Sequence, residues 1–209
     1  MSALSWSRLN DGRRRARERW PTIWALPRTA RSTRYAAERI PAGAAVLDIG
    51  GSRGGFGGRL AAGVRYATVD VDPEVDADHR SLAEVADASV DVVVSFETIE
   101  HMTLGEAAAM LAGAVRVLRP GGHLFCSTPN IHHPWSYLRS ATHKTPFCYD
   151  ELAGLAENAG LAVEAMLRCH RDAPLKAAAR ALAWPFYRVL GVDYCKSILL
   201  HARRPEGTR

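Results

Sequence analysis

Short apolar runs punctuate the chain from residue 44 onward, and between them apolar positions recur every third or fourth residue. Residues 44–49, 66–71, 90–96, 123–127, 161–167 and 194–202 have the length and apolar content of strands. The first and third of these are continuous enough for burial on both faces. Residues 55–62, 104–118, 150–159 and 174–190 read as helices. Gly160 closes the third of them, and Pro185 breaks the fourth. Arg119-Pro120-Gly121-Gly122 reads as a stop and turn before the fourth strand. Ahead of residue 44, the spacing of Trp6, Leu9, Trp20, Ile23, Trp24 and Leu26 predicts one or two helices over residues 5–40, interrupted by Pro21 and Pro27.

Strands alternating with helices predict an α/β fold, a doubly wound and mostly parallel sheet with helices on both faces. The last two strands break the alternation, and the polar ends of residues 194–202 suit an antiparallel C-terminal edge strand. Two regions are expected: a basic helical extension over residues 1–43, and the α/β domain over residues 44–209. Residues 130–149 and 172–193, rich in bulky side chains such as Trp135, Tyr137, Trp184 and Phe186, are expected to shape a pocket. The apolar stretch around Trp184–Leu190, with arginines beside it, would cover an apolar ligand or rest on a membrane surface, unless it is an ordinary packing helix.

Composition narrows the class. Of 209 residues, 47% are hydrophobic, enough for a core and too many for a disordered chain. No run reaches the roughly 18–20 apolar residues that span a bilayer, and the first residues lack the apolar segment of a secretory signal. Cys126, Cys148, Cys169 and Cys195 form no CxxC pair, so reduced thiols in a cytoplasmic protein are expected. The net charge of +5 is concentrated in arginines ahead of residue 44. Such an arm could meet nucleic acid or an anionic surface, or it could be a solvated helix face.

The chemistry gathers at VLDIGGSRGGFGG, residues 46–58, directly after the first strand. Glycines there let backbone approach a ligand closely, at the strand ends where open α/β sheets bind ligands. A dinucleotide fingerprint would need glycine where Ser52 stands, and a pyrophosphate would be repelled by Asp48. A phosphate-binding GK[ST] motif is missing from this loop. Asp48 instead suits an ammonium group, and Asp70, closing the second strand, can accept both hydroxyls of a ribose.

With these residues in place, the chain resembles the class I S-adenosylmethionine-dependent methyltransferases, of the type-11 kind that act on small molecules. VLDIGGSRG resembles their first motif, TVDVDP the second, ADASVDVVVSFETIEHM the segment around the fourth strand with its Glu-His pair, VLRPGGHLFCSTPN the fifth, and HKTPFCYDELAGLAENAGL a later block. The resemblance implies a Rossmann-like fold, S-adenosyl-L-methionine as cofactor, and a small-molecule acceptor whose methylated atom is oxygen. It implies cofactor contacts from Asp48, Gly50, Ser52, Gly54, Asp70, Phe96 and Glu97. Asp78, with Asp76 second, takes the place of an adenine-binding acid, in a linker over residues 73–89 that is shorter than the family's. His101 and His143 are the candidate catalytic bases. A metal site drawn from His132, His133, His143, Cys148 and Asp150 lacks tight ligand spacing, and no metal is expected. Three readings compete with this one: a nicotinamide oxidoreductase, a methyltransferase-like binding or scaffold protein without catalysis, and a nucleic-acid methyltransferase using the arginine arm. The arm lacks interleaved base-stacking aromatics, which counts against the last.

Overall fold

The computed structural model describes residues 6–51, 55–170 and 182–207. Ser52 and Gly54 of the glycine loop, and residues 172–181 of the expected pocket segment, lie outside them. Seven strands form one sheet: β1 (Arg28–Thr29), β2 (Ala45–Ile49), β3 (Arg65–Val69), β4 (Val90–Phe96), β5 (Leu118–Pro129), β6 (Ala162–Cys169) and β7 (Ser197–Arg203). Their order is β1-β6-β7-β5-β4-β2-β3. All described pairings are parallel except those of β7, which runs antiparallel to both β5 and β6. The expected antiparallel strand is therefore present, but two places in from the rim, with β6 and β1 outside it. Ile198, Leu199, Leu200 and Ala202 are all buried, and a run apolar on both faces needs a neighbour on each side.

Among the described residues, five helices flank the sheet: α1 (Trp6–Arg19), α2 (Ser32–Ala37), α3 (Leu104–Val117), α4 (Tyr149–Asn158) and α5 (Trp184–Val189). One face is covered by α1, α3 and α4, which contribute Leu9, Ala16, Leu111, Ala114, Leu152 and Leu155 to the larger core. α3 starts where Thr103 and Glu106 form a reciprocal capping box. The opposite face carries α2 and a smaller core around Ala36, Val46, Phe56, Val94, Phe125 and Leu199. No described helix is long and apolar enough to cross a membrane.

Several elements differ from the sequence expectation. The helix expected at 55–62 is a single 3-10 turn, Gly57–Arg59. Glycines in the helix interior each cost about 1 kcal/mol relative to alanine, and this segment concentrates them. The stop at Arg119–Gly122 is not a turn between elements but lies within β5. Gly121 takes φ +81°, and the β4–β5 register shifts between Val90 and Val92, so the glycines serve a bulge. Strand β1 was hidden in the helical extension; it pairs Arg28 with Arg168 and Thr29 with Cys169. The linker over residues 73–89 is as spare as its length suggested, with one 3-10 turn at Leu82–Glu84 and one bridge from Val69 to His79.

The arginine-rich segment is tied into the domain. On α1, Arg13 and Arg17 pair with Asp150, and Arg15 pairs with Glu157 at 2.8 Å. Arg19 donates to the carbonyls of Val163 and Glu164 at 2.5 and 2.6 Å. These cations are anchored on α4 and β6 as well as facing water, because Asp150 and Glu157 lie on the helix that α1 crosses.

Candidate functional site

The order of strands reverses direction at β2, which pairs with β3 on one side and β4 on the other. A crevice opens beyond the carboxyl ends of such strands. Ile49, Val69, Phe96 and Pro129 end the four strands that border it.

The floor is built by β2 and the loop after it. Gly50 has φ +74° and donates its N–H to the Val69 carbonyl at 2.8 Å. A Cβ at Gly50 would overlap the Thr98 side chain, and one at Gly51 would lie 2.9 Å from Asp48 Cγ. Glycine is thus demanded twice, once by backbone conformation and once by the Asp48 carboxylate tucked beneath the loop. Asp48 is 4% exposed. Its Oδ2 accepts from the Tyr66 hydroxyl at 2.5 Å. Burial pushes its carboxyl up to about 6, against the Tyr66 hydrogen bond that lowers it. Tyr66 is raised in turn by burial and by Asp48. Nothing in the spacing of Tyr66 and Asp48 announced this pair; their adjacency follows from β2–β3 pairing.

Asp70 stands just past β3. Its Oδ1 accepts from the Asp72 N–H at 3.0 Å, and its own N–H donates to the His79 carbonyl at 3.1 Å. This turn holds the carboxylate at the strand end. Asp78 is placed differently: its Oδ2 accepts from the Thr68 N–H at 2.8 Å and the Thr68 hydroxyl at 3.0 Å. Those bonds hold its carboxyl below the usual range and make it a clasp on the β3 edge. Phe96 packs edge-on against Phe56, with ring centroids 5.0 Å apart.

At the end of β4, Glu97 adopts φ +53°, a conformation rare outside glycine and often found at functional sites. Its N–H donates to the Ser127 carbonyl at 2.9 Å, and its Oε1 accepts from the Ser127 hydroxyl at 2.8 Å. Three residues on, Glu100 is 1% exposed. Its Oε2 accepts from the Thr128 hydroxyl at 3.1 Å. Burial, with the nearby Glu97 charge, pushes its carboxyl up to about 8. Glu100 was absent from the sequence-derived candidates. Its Glu-His pairing with His101 in ETIEHM was the available signal.

His101 and His143 meet here, ring centroids 4.9 Å apart in an edge-on arrangement. His101 Nδ1 faces the Thr142 carbonyl at 3.2 Å, and His143 Nδ1 faces the Tyr137 carbonyl at 2.6 Å. A carbonyl can only accept, so each ring carries a proton on Nδ1, which leaves Nε2 as the basic nitrogen of the neutral form. His143 Nε2 lies 3.9 Å from Glu100 Oε1. The two histidines, 42 positions apart, are joined because Lys144 and Thr145 donate their N–H groups to the Glu100 carbonyl at 2.7 and 3.1 Å.

Glu100, His101 and His143 offer ligand atoms within 4.8 Å of one another and could hold a metal ion. The grouping weighed from sequence is dispersed instead. His132 faces the Gly191 carbonyl, His133 packs against Tyr194, and Asp150 is paired with α1. Burial pushes the Cys148 thiol up to about 11.

A family model described as a methyltransferase domain matches residues 17–166. The chain belongs to that family. A Mycolicibacterium smegmatis protein named "Probable S-adenosylmethionine-dependent methyltransferase" is 37% identical over 153 residues, which cover 64% of this chain and 58% of that protein. This methyltransferase domain thus spans little more than half the length of that relative. Among solved structures, a SAM-dependent methyltransferase from Archaeoglobus fulgidus superposes with a TM-score of 0.63 at 16% identity, covering 93% of this chain and 94% of that one. A phosphoethanolamine N-methyltransferase of Haemonchus contortus, in complex with S-adenosyl-L-methionine, gives 0.60 at 16% identity over 82% of this chain and 52% of that one. At those identities the structures speak for the fold alone.

The described residues of the crevice fit that cofactor. The Asp48 carboxylate lies beneath the loop, where it could meet an ammonium, and Asp70 stands at the end of β3, where it could accept from a ribose. Phe96, backed by the buried Phe56, and Glu97 stand together at the end of β4.

Proposed function

We propose that this methyltransferase domain binds S-adenosyl-L-methionine through Asp48, Gly50, Asp70, Phe96 and Glu97, with Ser52 and Gly54 completing the loop, and methylates an oxygen of a small-molecule acceptor. The observation that carries the reading is the pair of imidazoles at the end of β4, each with Nδ1 committed to a carbonyl. When bound, the cofactor supplies a methyl group already activated by its sulfonium. His101 would take the acceptor's hydroxyl proton on Nε2. A base of this kind typically contributes about 10²–10⁴-fold. His143, between the Tyr137 carbonyl and Glu100, positions the His101 ring.

The rim supports a choice of acceptor class. Trp135, Leu138, Phe186, Val189 and Leu190 are large and exposed. Their segments are joined by the Asp193 N–H donating to the His132 carbonyl at 2.9 Å. An apolar rim favours a lipid, glycoconjugate or natural product with an apolar part over a small free sugar, and it suits transient contact with a membrane surface. Nucleic acid is disfavoured, since the α1 arginines are engaged by α4 and β6.

Calorimetry with S-adenosylhomocysteine tests cofactor binding: micromolar affinity is expected, weakened at least tenfold by Asp70→Ala. No heat at high micromolar ligand would sink the reading. Transfer of a labelled methyl group to fractionated lipid and glycan pools, followed by mass spectrometry, identifies the acceptor. Cofactor binding without transfer to any pool would favour the scaffold reading.

A further inference from the structure

Away from the crevice, three potential ligands converge on the α2 face of the sheet. His123 on β5, His201 on β7 and Glu164 on β6 bring their ligand atoms within 4.8 Å of one another. His123 Nδ1 and His201 Nε2 are 3.1 Å apart, Glu164 Oε2 is 3.3 Å from His201 Nε2, and 3.8 Å separates it from His123 Nδ1. A tetrahedral zinc with ligands at about 2.0–2.1 Å has ligand–ligand edges of about 3.4 Å. The observed triangle matches that size.

We propose that His123, His201 and Glu164 form a site for a divalent transition metal, zinc by preference, which clamps β5, β7 and β6 together on the sheet face that α2 occupies. Two imidazoles and one carboxylate are a donor set suited to zinc, with a fourth position left for water.

Three further observations support a built site. The β6–β7 register shifts between Val163 and Ala165, so Glu164 is the extra residue of a bulge. Simple alternation would send Glu164 to the opposite face from Ala165; the bulge turns it toward the imidazoles, as bulges do beside functional sites. The outer contacts are also in place. Tyr35 Oη lies 3.4 Å from His201 Nδ1, the ring nitrogen that would face away from the ion, and such partners fix the ligating tautomer. Arg203 Nε holds Glu164 Oε1 at 3.1 Å, leaving Oε2 for the metal. Finally, the His201 ring stacks on Phe125 at 4.4 Å. The site stands six residues back along β5 from Pro129, about 20 Å from the crevice end of the strand. Its existence does not depend on the methyl-transfer reading.

The test uses the full chain, stripped with a chelator and titrated with cobalt(II) and then zinc(II). One equivalent of cobalt should give the intense visible bands of tetrahedral coordination, and zinc should bleach them and raise the melting temperature. His123→Gln and Glu164→Gln, both at partly exposed positions, should each weaken uptake at least 100-fold. Tyr35→Phe should weaken it about 10–100-fold, as outer partners do. His143→Gln should leave the bands intact. Absence of the bands at one equivalent would overturn the site, as would bands that survive His123→Gln or vanish in His143→Gln. Circular dichroism shows whether each variant is folded. Should His123→Gln fail to fold, the Glu164→Gln result decides.

Discussion

Gly12 of α1 and Gly154 of α4 meet backbone to backbone: a Cβ on Gly12 would lie 2.6 Å from Gly154 Cα, and one on Gly154 would lie 2.8 Å from the Arg13 nitrogen. The crossing seats Leu9 and Ala16 in the core and brings Arg13, Arg15 and Arg17 onto the acids of α4. Alanine in place of a helical glycine ordinarily stabilises by about 1 kcal/mol. Here the obstacle is main chain, which cannot swing aside, so overpacking wins. Gly12→Ala is expected to destabilise by about 1–3 kcal/mol, measured by urea denaturation. A midpoint unchanged or raised would show that the helices part at no cost.

Glu100 predicts a stability slope with pH. Its folded value stands near 8, above the ordinary 4.5. Between those values the folded protein holds a proton that the unfolded chain has lost. Stability from this group is therefore fully present below about pH 4.5 and declines as pH rises through 8, by on the order of a few kcal/mol. Glu100→Gln keeps an acceptor for the Thr128 hydroxyl and removes the titration. The variant should melt higher than the parent at pH 8.5 and lose the excess at pH 5. Parallel melting curves at both pH values would refute the assignment.

The histidine roles separate in kinetics, on the proposed activity. His101→Ala should lower kcat by about 10²–10⁴-fold with little change in S-adenosylhomocysteine affinity. His143→Ala should cost less, about tenfold, and shift the pH–rate profile, because it acts through His101. Equal losses with unaltered profiles would make both residues structural.

Asp48 predicts pH-dependent cofactor binding. Its carboxyl, raised to about 6 by burial, is ionised above that value and neutral below it. Affinity for a ligand bearing an ammonium should fall as pH drops through 6, and Asp48→Asn should weaken binding about tenfold or more at pH 8 while flattening the trend. Calorimetry with S-adenosylhomocysteine at pH 5 and pH 8 reads both effects. Equal affinities at the two pH values would remove Asp48 from the ammonium site.

Apolar runs were enough to locate β2, β4 and β7 to within a few residues, because a strand buried on both faces is written as a continuous run. The glycine loop and Asp70 were legible for a similar reason: backbone that must approach a ligand leaves little choice of residue. The failures have a common origin. The 55–62 helix was drawn from position in an alternating pattern, whereas its glycines leave only a 3-10 turn. β1 is two residues long and exists only because β6 offers a free edge.

The sequence by itself determined the alternation of strands and helices, the crevice beyond β2 and β3, and the family to which the chain belongs. Each of these depends on residues close together in the chain, where spacing carries the information. Only the tertiary structure decided that Tyr66 caps Asp48, that His101 and His143 share a wall with buried Glu100, that α1 lies against α4 at two glycines, and that a bulge turns Glu164 toward His123 and His201. Those pairings join residues 18 to 142 positions apart. They arise from strand register and helix crossing, which no local pattern encodes.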